Sequence, residues 1–145
     1  MTWPQHENPG AFGGLEHPCD YAEARFAVLP VPFDGTSTWL KGADRGPAAI
    51  LAASANMELF DIETRSEPWR WGMITMAPVE EGPTPEIMVD ETHRAARELI
   101  ADGKIVVGLG GEHSVSIGLI RAQAERHGGL TVLQLDAHAD SRGSY

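Results

Sequence analysis

Apolar and polar residues follow one another along this chain in two patterns, one typical of strands and the other of helices. Three near-continuous apolar runs, Phe26–Val31, Ile105–Leu109 and Leu130–Leu135, predict strands. Runs with so few polar residues are typical of parallel strands that are covered on both faces of a sheet. A further short strand is expected between Trp71 and Met76.

Between these runs, apolar side chains recur every three to four residues and predict three helices. The first helix is expected over about residues 47–59, with a proline in its first turn, where the missing amide proton costs little. The second runs from the capping residue Thr84 to a stop at Gly103. The third covers Ser114–His127, with the hydroxyl of Ser114 as its expected cap.

The alternation of strands and helices predicts an α/β domain with a mostly parallel sheet. Residues 1–24 are rich in glycine, proline and polar groups, and we expect them to form an N-terminal arm before a domain of residues 25–145. Parallel strands that are joined by helices end at one edge of the sheet, where ligands bind in open α/β folds. Side chains that follow the predicted strands are therefore the first candidates for a functional site.

Ligand-type side chains follow two of the predicted strands. Asp136, His138 and Asp140 stand at alternate positions after the last apolar run, and His113 follows a Gly-Gly pair after the preceding run. In an extended segment the alternate side chains would point the same way, with Cα atoms about 6.6 Å apart. Carboxylates and imidazoles are ligands of borderline-hard divalent ions. The sequence therefore predicts a metal site at this edge, the alternative being a polar loop with no ligand.

Three further ionisable residues have simpler interpretations. Glu112 either orients His113 from behind or is an acid at the start of a helix, and we prefer the second role because a helix N-terminus favours negative charge. His93 and His127 lie within predicted helices without a ligand-type partner nearby in sequence, and we expect both on the helix surface.

The charge balance narrows the range of partners. Twenty-one acidic residues against eleven basic residues give a net charge of −10. This charge disfavours nucleic acids and anionic membranes, and it suits a cationic substrate or divalent metals, although solubility alone would also explain it. No apolar run reaches the ~18 residues of a membrane span. The single cysteine, Cys19, agrees with the reducing cytoplasm in which we expect the protein.

Two segments resemble signature segments of the ureohydrolases, the arginase and agmatinase family. They are Gly110-Gly111-Glu112-His113-Ser114 and Asp136-Ala137-His138-Ala139-Asp140. Upstream, Val31–Ser37, Lys41–Pro47 and Ser54–Leu59 look like the agmatinase branch. The resemblance covers roughly residues 25–145, and it is the combination of segments that makes it specific.

The resemblance implies a three-layer α/β/α fold with a mostly parallel sheet, arginase/deacetylase-like and incomplete in this chain. It implies two manganese ions, with His113 and Asp140 on one ion, His138 on the other and Asp136 bridging both. It also implies metal-dependent hydrolysis of a small cationic guanidino substrate, with agmatine giving putrescine and urea. Family members commonly form trimers or hexamers, so we expect a homo-oligomer of the full-length protein.

The chain departs from the family pattern in one respect. The family has further aspartate ligands, a histidine and a glutamate on later segments, and none of these has a counterpart before Tyr145. We therefore expect the N-terminal half of a ureohydrolase domain, with the catalytic residues beyond Tyr145. Three alternatives stay open: a ureohydrolase for another guanidino acid or a formimino group, a catalytically incomplete metal-binding fragment, and a deacetylase of related fold.

Overall fold

Three parallel strands form the centre of the structure, a computed structural model that describes residues 10–15, 19–80 and 82–138. The strands are β1 (Phe26–Val31), β2 (Met73–Thr75) and β3 (Ile105–Gly110), and they lie side by side in the order β2-β1-β3. In this register Phe26 lies opposite Met73 on one side and Ile105 on the other. The predicted parallel arrangement of these three strands is confirmed, although β2 is shorter than the apolar run around it.

β1 is buried along almost its whole length, which requires a layer on each face of the sheet. Successive side chains of a strand point to opposite faces, yet every residue from Ala27 to Val31 is buried. Burying one large aliphatic side chain contributes about 1.5–3 kcal/mol. The side chains that complete this core come from β2, from the segment after it and from the helical segments, and they include Ile74, Met76, Val79, Met88, Ala95, Leu99 and Val115.

In the part of the chain that the structure describes, three α-helices follow the strands: α1 (Gly46–Ser54), α2 (Pro85–Ala101) and α3 (Ser116–His127). α2 begins as predicted, since the Thr84 hydroxyl accepts a hydrogen bond from the Ile87 amide at 3.3 Å. Within the described part of the chain, no helix is both long enough and apolar enough to cross a membrane.

α1 is shorter than predicted and ends at Ser54 instead of continuing to about residue 59. The amides of Asn56 and Met57 donate to carbonyls three residues earlier, which tightens the chain into a turn. The Ser54 hydroxyl donates to the Leu51 carbonyl at 2.7 Å and accepts from the Gly13 amide at 2.8 Å. The end of α1 thus anchors the N-terminal segment, a long-range contact that periodicity along the sequence does not report.

The close packing of α3 against α2 depends on Gly118. A Cβ atom at this position would lie 2.7 Å from the Val89 carbonyl oxygen and 2.8 Å from Thr92 Cβ. Further along the same interface, His93 Nε2 lies 2.9 Å from Glu125 Oε1. The expected surface position of His93 is therefore wrong, because α3 covers its side chain and leaves only 21% of it exposed.

The last predicted strand, Leu130–Leu135, does not form. The segment has no regular secondary structure, and Leu133 and Leu135 are 82% and 88% exposed. Its available neighbour is β3, where Ile105 and Val107 share one face and are 44% and 43% exposed. A parallel strand is stabilised by burial on both faces, and among the described residues no layer covers β3 on this face. The apolar run alone was therefore insufficient for a strand.

Lys104 ties the segment before β1 to the start of β3, at the opposite edge of the sheet from the predicted site. Its ammonium group donates to the carbonyls of Tyr21 at 2.5 Å and Ala24 at 2.7 Å, and the residue is buried. The Tyr21 hydroxyl in turn donates to the Asp102 carboxylate at 2.6 Å. Burial raises the pKa of the Tyr21 hydroxyl, and the hydrogen bond to Asp102 raises this pKa further.

Because Tyr21 resists ionisation in the folded chain, the stability of the protein should fall at high pH. An unfolded tyrosine ionises near its ordinary pKa of 10.0, so the stabilisation is fully present below that pH and is lost as the pH rises above it. Between about pH 9 and about pH 10.5, we expect Tm to fall more in the wild type than in Tyr21→Phe. Thermal unfolding by circular dichroism measures this difference, and equal losses in the two proteins would contradict it.

A side chain at Gly118 should destabilise the packing of α3 on α2. The valine side chain in Gly118→Val would push the backbone of α2 away from α3. We expect a loss of about 1–3 kcal/mol in the free energy of unfolding. Gly129→Val is the matched control, since a Cβ at Gly129 meets no atom within 4 Å, and its effect should stay within about 0.5 kcal/mol. Urea unfolding of both variants provides the measurement, and similar losses in the two would exclude this packing argument.

Candidate functional site

The carboxyl ends of β1 and β3 lie side by side and lead into two loops that touch. Val31 and Gly110 are partners in the sheet, and the ladder continues beyond them, since the Glu112 amide donates to the Phe33 carbonyl at 3.0 Å. A Cβ atom at Gly111 would lie 2.1 Å from the Phe33 carbonyl oxygen. Only glycine permits this approach, which places the segment before His113 directly against the loop after β1.

Glu112 is the cap of the short 3₁₀ turn His113–Val115 that precedes α3. Its carboxylate accepts hydrogen bonds from the Ser114 amide at 3.0 Å and the Ser114 hydroxyl at 2.5 Å. Burial acts to raise the pKa of Glu112, but the hydrogen bonds from Ser114, with a smaller contribution from Thr36, outweigh it and hold this pKa below its ordinary value. The preferred interpretation of Glu112 as a helix-start acid is confirmed. The assignment of Ser114 as the cap is wrong, because its hydroxyl donates to Glu112.

Asp136 lies between His113 and His138. One carboxylate oxygen, Oδ2, is 3.8 Å from His113 Nδ1, and the other, Oδ1, is 3.8 Å from His138 Nδ1. The backbone bends at Asp136, and Oδ1 accepts a hydrogen bond from the His138 amide at 2.8 Å. The expected extended alternation of side chains is therefore not found here, and a turn brings the same residues together instead.

The charge of Asp136 is stabilised by its surroundings. The hydrogen bond from the His138 amide lowers the pKa of Asp136. Burial opposes this effect, and Gln134 and the two neighbouring imidazoles lower the pKa further. The Gln134 side chain also donates to the His138 carbonyl at 3.2 Å, a contact for which the sequence carried no signal. Asp136 is consequently ionised at neutral pH, as a metal ligand has to be.

The spacing of these three side chains suits metal ligands. The separations of 3.8 Å are too long for hydrogen bonds. A divalent ion binds nitrogen and oxygen at about 2.0–2.2 Å, so two ligands of one ion stand at most roughly 4 Å apart. Each imidazole faces a different oxygen of Asp136 and is open to solvent, with 69% of His113 and 82% of His138 exposed.

Asp140, the fourth predicted ligand, lies outside the described residues. Among residues 10–15, 19–80 and 82–138, no three His, Cys, Asp or Glu side chains meet closely enough to hold one ion. The described geometry is thus one carboxylate, that of Asp136, with an imidazole near each of its two oxygens.

The loop after β1 is shaped by the carboxylate of Asp34, a role that the sequence analysis did not assign. Asp34 accepts hydrogen bonds from the Ser37 hydroxyl and from the amides of Gly42 at 2.5 Å and Ala43 at 3.1 Å. The Ser37 hydroxyl and these amides lower the pKa of Asp34, and Lys41 at 3.7 Å lowers it further. Asp34 and Ser37 are three residues apart in a segment rich in turn-forming residues, and this spacing could have indicated that Asp34 organises the loop.

Comparison with known proteins finds similar sequences over most of the chain. The family model described as "Arginase family" matches residues 24–145. The chain is 44% identical over 133 residues to N(1)-aminopropylagmatine ureohydrolase from Thermus thermophilus, covering 89% of this chain and 44% of that protein. It is 30% identical over 143 residues to agmatinase from Photorhabdus laumondii, covering 90% of this chain and 45% of that protein.

Solved structures show the same fold. The structure is similar to that of agmatine ureohydrolase from Thermoplasma volcanium, with 31% identity and a TM-score of 0.74 over 88% of this chain and 42% of that one. It is also similar to proclavaminate amidino hydrolase from Streptomyces clavuligerus, with 26% identity and a TM-score of 0.81 over 98% of this chain and 48% of that one. The chain spans about half the length of these relatives.

The match to the family model extends over most of the chain and includes both ligand segments. The expected α/β class and the resemblance stated from the sequence are confirmed together, because the parallel sheet is shared with structures of the same family. On these grounds the chain belongs to the arginase family.

Proposed function

We propose that the full-length protein hydrolyses the guanidino group of a small cationic substrate and releases urea and an amine. The observation that carries this proposal is the position of Asp136, with His113 and His138 each 3.8 Å from a different carboxylate oxygen. A carboxylate placed in this way is suited to bridge two metal ions. The names of the relatives as ureohydrolases support the same reaction.

Four residues of this chain would hold the metal pair. His113 and Asp140 would serve one ion, His138 the other, and Asp136 both, and we propose manganese as the metal. A bound pair of divalent ions supplies Lewis-acid activation of water for attack on the guanidinium carbon. The contribution of the chain is to present Asp136 in its ionised form and to hold the imidazole of His113 next to it.

The charge of the chain supports a substrate that carries an amine rather than a carboxylate. A net charge of −10 attracts the dication agmatine more strongly than a guanidino acid such as guanidinobutyrate, whose carboxylate cancels the charge of its guanidinium group. Agmatine is our first candidate. N(1)-aminopropylagmatine is the second candidate, because a relative with 44% identity is named for it. Three further expectations stay predictions. They are assembly as a trimer or hexamer, a cytoplasmic location, and the division of the chain into an arm of residues 1–24 and a domain of residues 25–145.

A substrate panel tests the reaction and the preference for amines. With manganese present, we expect urea release from agmatine and from N(1)-aminopropylagmatine at kcat/KM values at least about 10-fold above that for guanidinobutyrate. The assay uses the complete product of the gene. Absence of urea from a folded, metal-loaded protein would exclude the proposed reaction, and a preference for guanidinobutyrate would exclude the amine substrates.

Removal of either described ligand should abolish the activity. In His113→Ala and Asp136→Ala we expect kcat/KM to fall by more than the 10–100-fold that the loss of an outer-shell partner costs. Calorimetry with manganese should show weaker binding in both variants. His127→Ala is the control, because this exposed histidine ends α3 and takes no part in the proposed site. Wild-type turnover in either ligand variant would contradict the assignment.

A further inference from the structure

The loop after β1 leaves the sheet and returns to it at the same place, the carboxyl end of β3. It leaves after Phe33, whose carbonyl accepts the Glu112 amide at 3.0 Å. It returns at Gly46, where a Cβ atom would lie 3.5 Å from the Gly110 carbonyl oxygen. Residues 34–45 therefore form an arch, both ends of which lie against the segment that leads into the proposed metal site.

Hydrogen bonds to Asp34 close the arch on itself. The Asp34 carboxylate accepts the amides of Gly42 at 2.5 Å and Ala43 at 3.1 Å. The Lys41 ammonium is turned back into the arch, where it donates to the carbonyls of Asp34 at 2.5 Å and Ser37 at 3.2 Å. The positive charge of Lys41 is thereby balanced by the carboxylate of Asp34, 3.7 Å away.

The crest of the arch, residues 38–40, presents two large apolar side chains to solvent. Trp39 is 90% exposed and Leu40 is 74% exposed, although the arch that carries them is closed by hydrogen bonds. The face of an indole ring attracts cations, because its π electrons give it a negative potential. The crest therefore offers a binding surface for a cation beyond the carboxyl edge of the sheet.

The crest lies close enough to the proposed metal site for one substrate to extend over both. Thr36 of the arch and Ser114, the residue after His113, line a common cleft of about 540 Å³. Trp39 follows Thr36 by three residues, so their Cα atoms lie within about 11 Å of each other. A chain that is bound at the metal site and lies along this cleft would therefore end near the ring of Trp39.

The charge of the cleft suits a cationic chain. Its charged residues are Glu86, Asp90 and Arg121, and Arg121 is paired with Asp90 at 3.4 Å. The lining thus carries more negative than positive charge, which favours ammonium groups over carboxylates. Of the two proposed substrates, N(1)-aminopropylagmatine has the longer tail, with an additional ammonium group at its end.

We propose that Trp39 is a specificity-determining residue, which extends the substrate range from agmatine to N(1)-aminopropylagmatine by holding the distal ammonium group against its ring. Agmatine lacks the aminopropyl group, so its amine ends nearer the proposed metal site and gains less from Trp39. This inference rests on the proposed function, because it assumes guanidino hydrolysis at this edge of the sheet. Trp39 binds the tail of the substrate and touches none of the reacting atoms.

The test compares kcat/KM for both substrates in variants of Trp39, with the complete product of the gene and manganese. A cation on an aromatic face gains about 3–30-fold in affinity, so Trp39→Ala should lower kcat/KM for N(1)-aminopropylagmatine by this factor, mainly through KM. For agmatine the change should stay below about 2-fold. Trp39→Phe keeps a ring and should retain most of the preference, whereas Trp39→Leu should behave like Trp39→Ala.

Leu40→Ala is the matched control, because Leu40 is a similarly exposed neighbour without an aromatic face. Its ratio of kcat/KM for the two substrates should equal that of the wild type. Calorimetry with spermidine, the triamine that hydrolysis of N(1)-aminopropylagmatine releases, gives a readout without turnover. Trp39→Ala should weaken the binding of spermidine by about 3–30-fold and leave that of the shorter diamine putrescine unchanged.

The outcomes separate this inference from the proposed function. Wild-type protein that releases urea from neither substrate would overturn the proposed function, and this inference with it. Urea release by the wild type, with an unchanged ratio of the two substrates in Trp39→Ala, would overturn only the role of Trp39. Equal losses for both substrates would also overturn it, because the side chain would then support the fold or a contact between subunits. If Trp39→Ala does not fold, an unchanged ratio in Trp39→Leu overturns the inference.

Discussion

The close approach of two backbone segments at Gly111 and Phe33 is the constraint on which the arrangement of the site depends. At this point a Cβ atom would overlap the Phe33 carbonyl oxygen. The approach extends the pairing of β1 with β3 past the ends of the strands, so that the Glu112 amide also finds an acceptor. The backbone hydrogen bonds of Gly111 to Val31 and of Glu112 to Phe33 lie at this approach, and a side chain at Gly111 would separate the two segments.

Three carboxylates at the same sheet edge have a common structural role. Asp34, Glu112 and Asp136 each accept a hydrogen bond from at least one backbone amide. The amide bonds, together with hydroxyl donors to Asp34 and Glu112, hold the pKa of each acid below its ordinary value, and the resulting negative charge lies where a cationic substrate and divalent ions are proposed to bind. Turns make such an acidic edge possible, because their backbone amides are not used in strand pairing and can donate hydrogen bonds to carboxylates.

The strands and helices in the first 128 residues were largely predictable from periodicity. β1 has the predicted bounds, and Thr84 caps α2 as expected, since both features depend on residues close in sequence. Leu130–Leu135 has an equally apolar pattern, yet it forms no strand, because a strand requires a partner and a covering layer as well as apolar residues. The partial burial of His93 and the early end of α1 depend on contacts with distant segments, which no local pattern contains.

The sequence by itself determined which ligand-type side chains to consider and the sheet edge near which they lie, because these side chains directly follow apolar strand-like runs. It also determined the family, since several short segments together are specific where one is not. Only the tertiary structure decided that a bend, rather than an extended strand, brings Asp136 between His113 and His138. It likewise decided that Gly111 lies directly against the backbone of Phe33. Both results depend on distances between segments far apart in the chain, which are set by packing and not by spacing along the sequence.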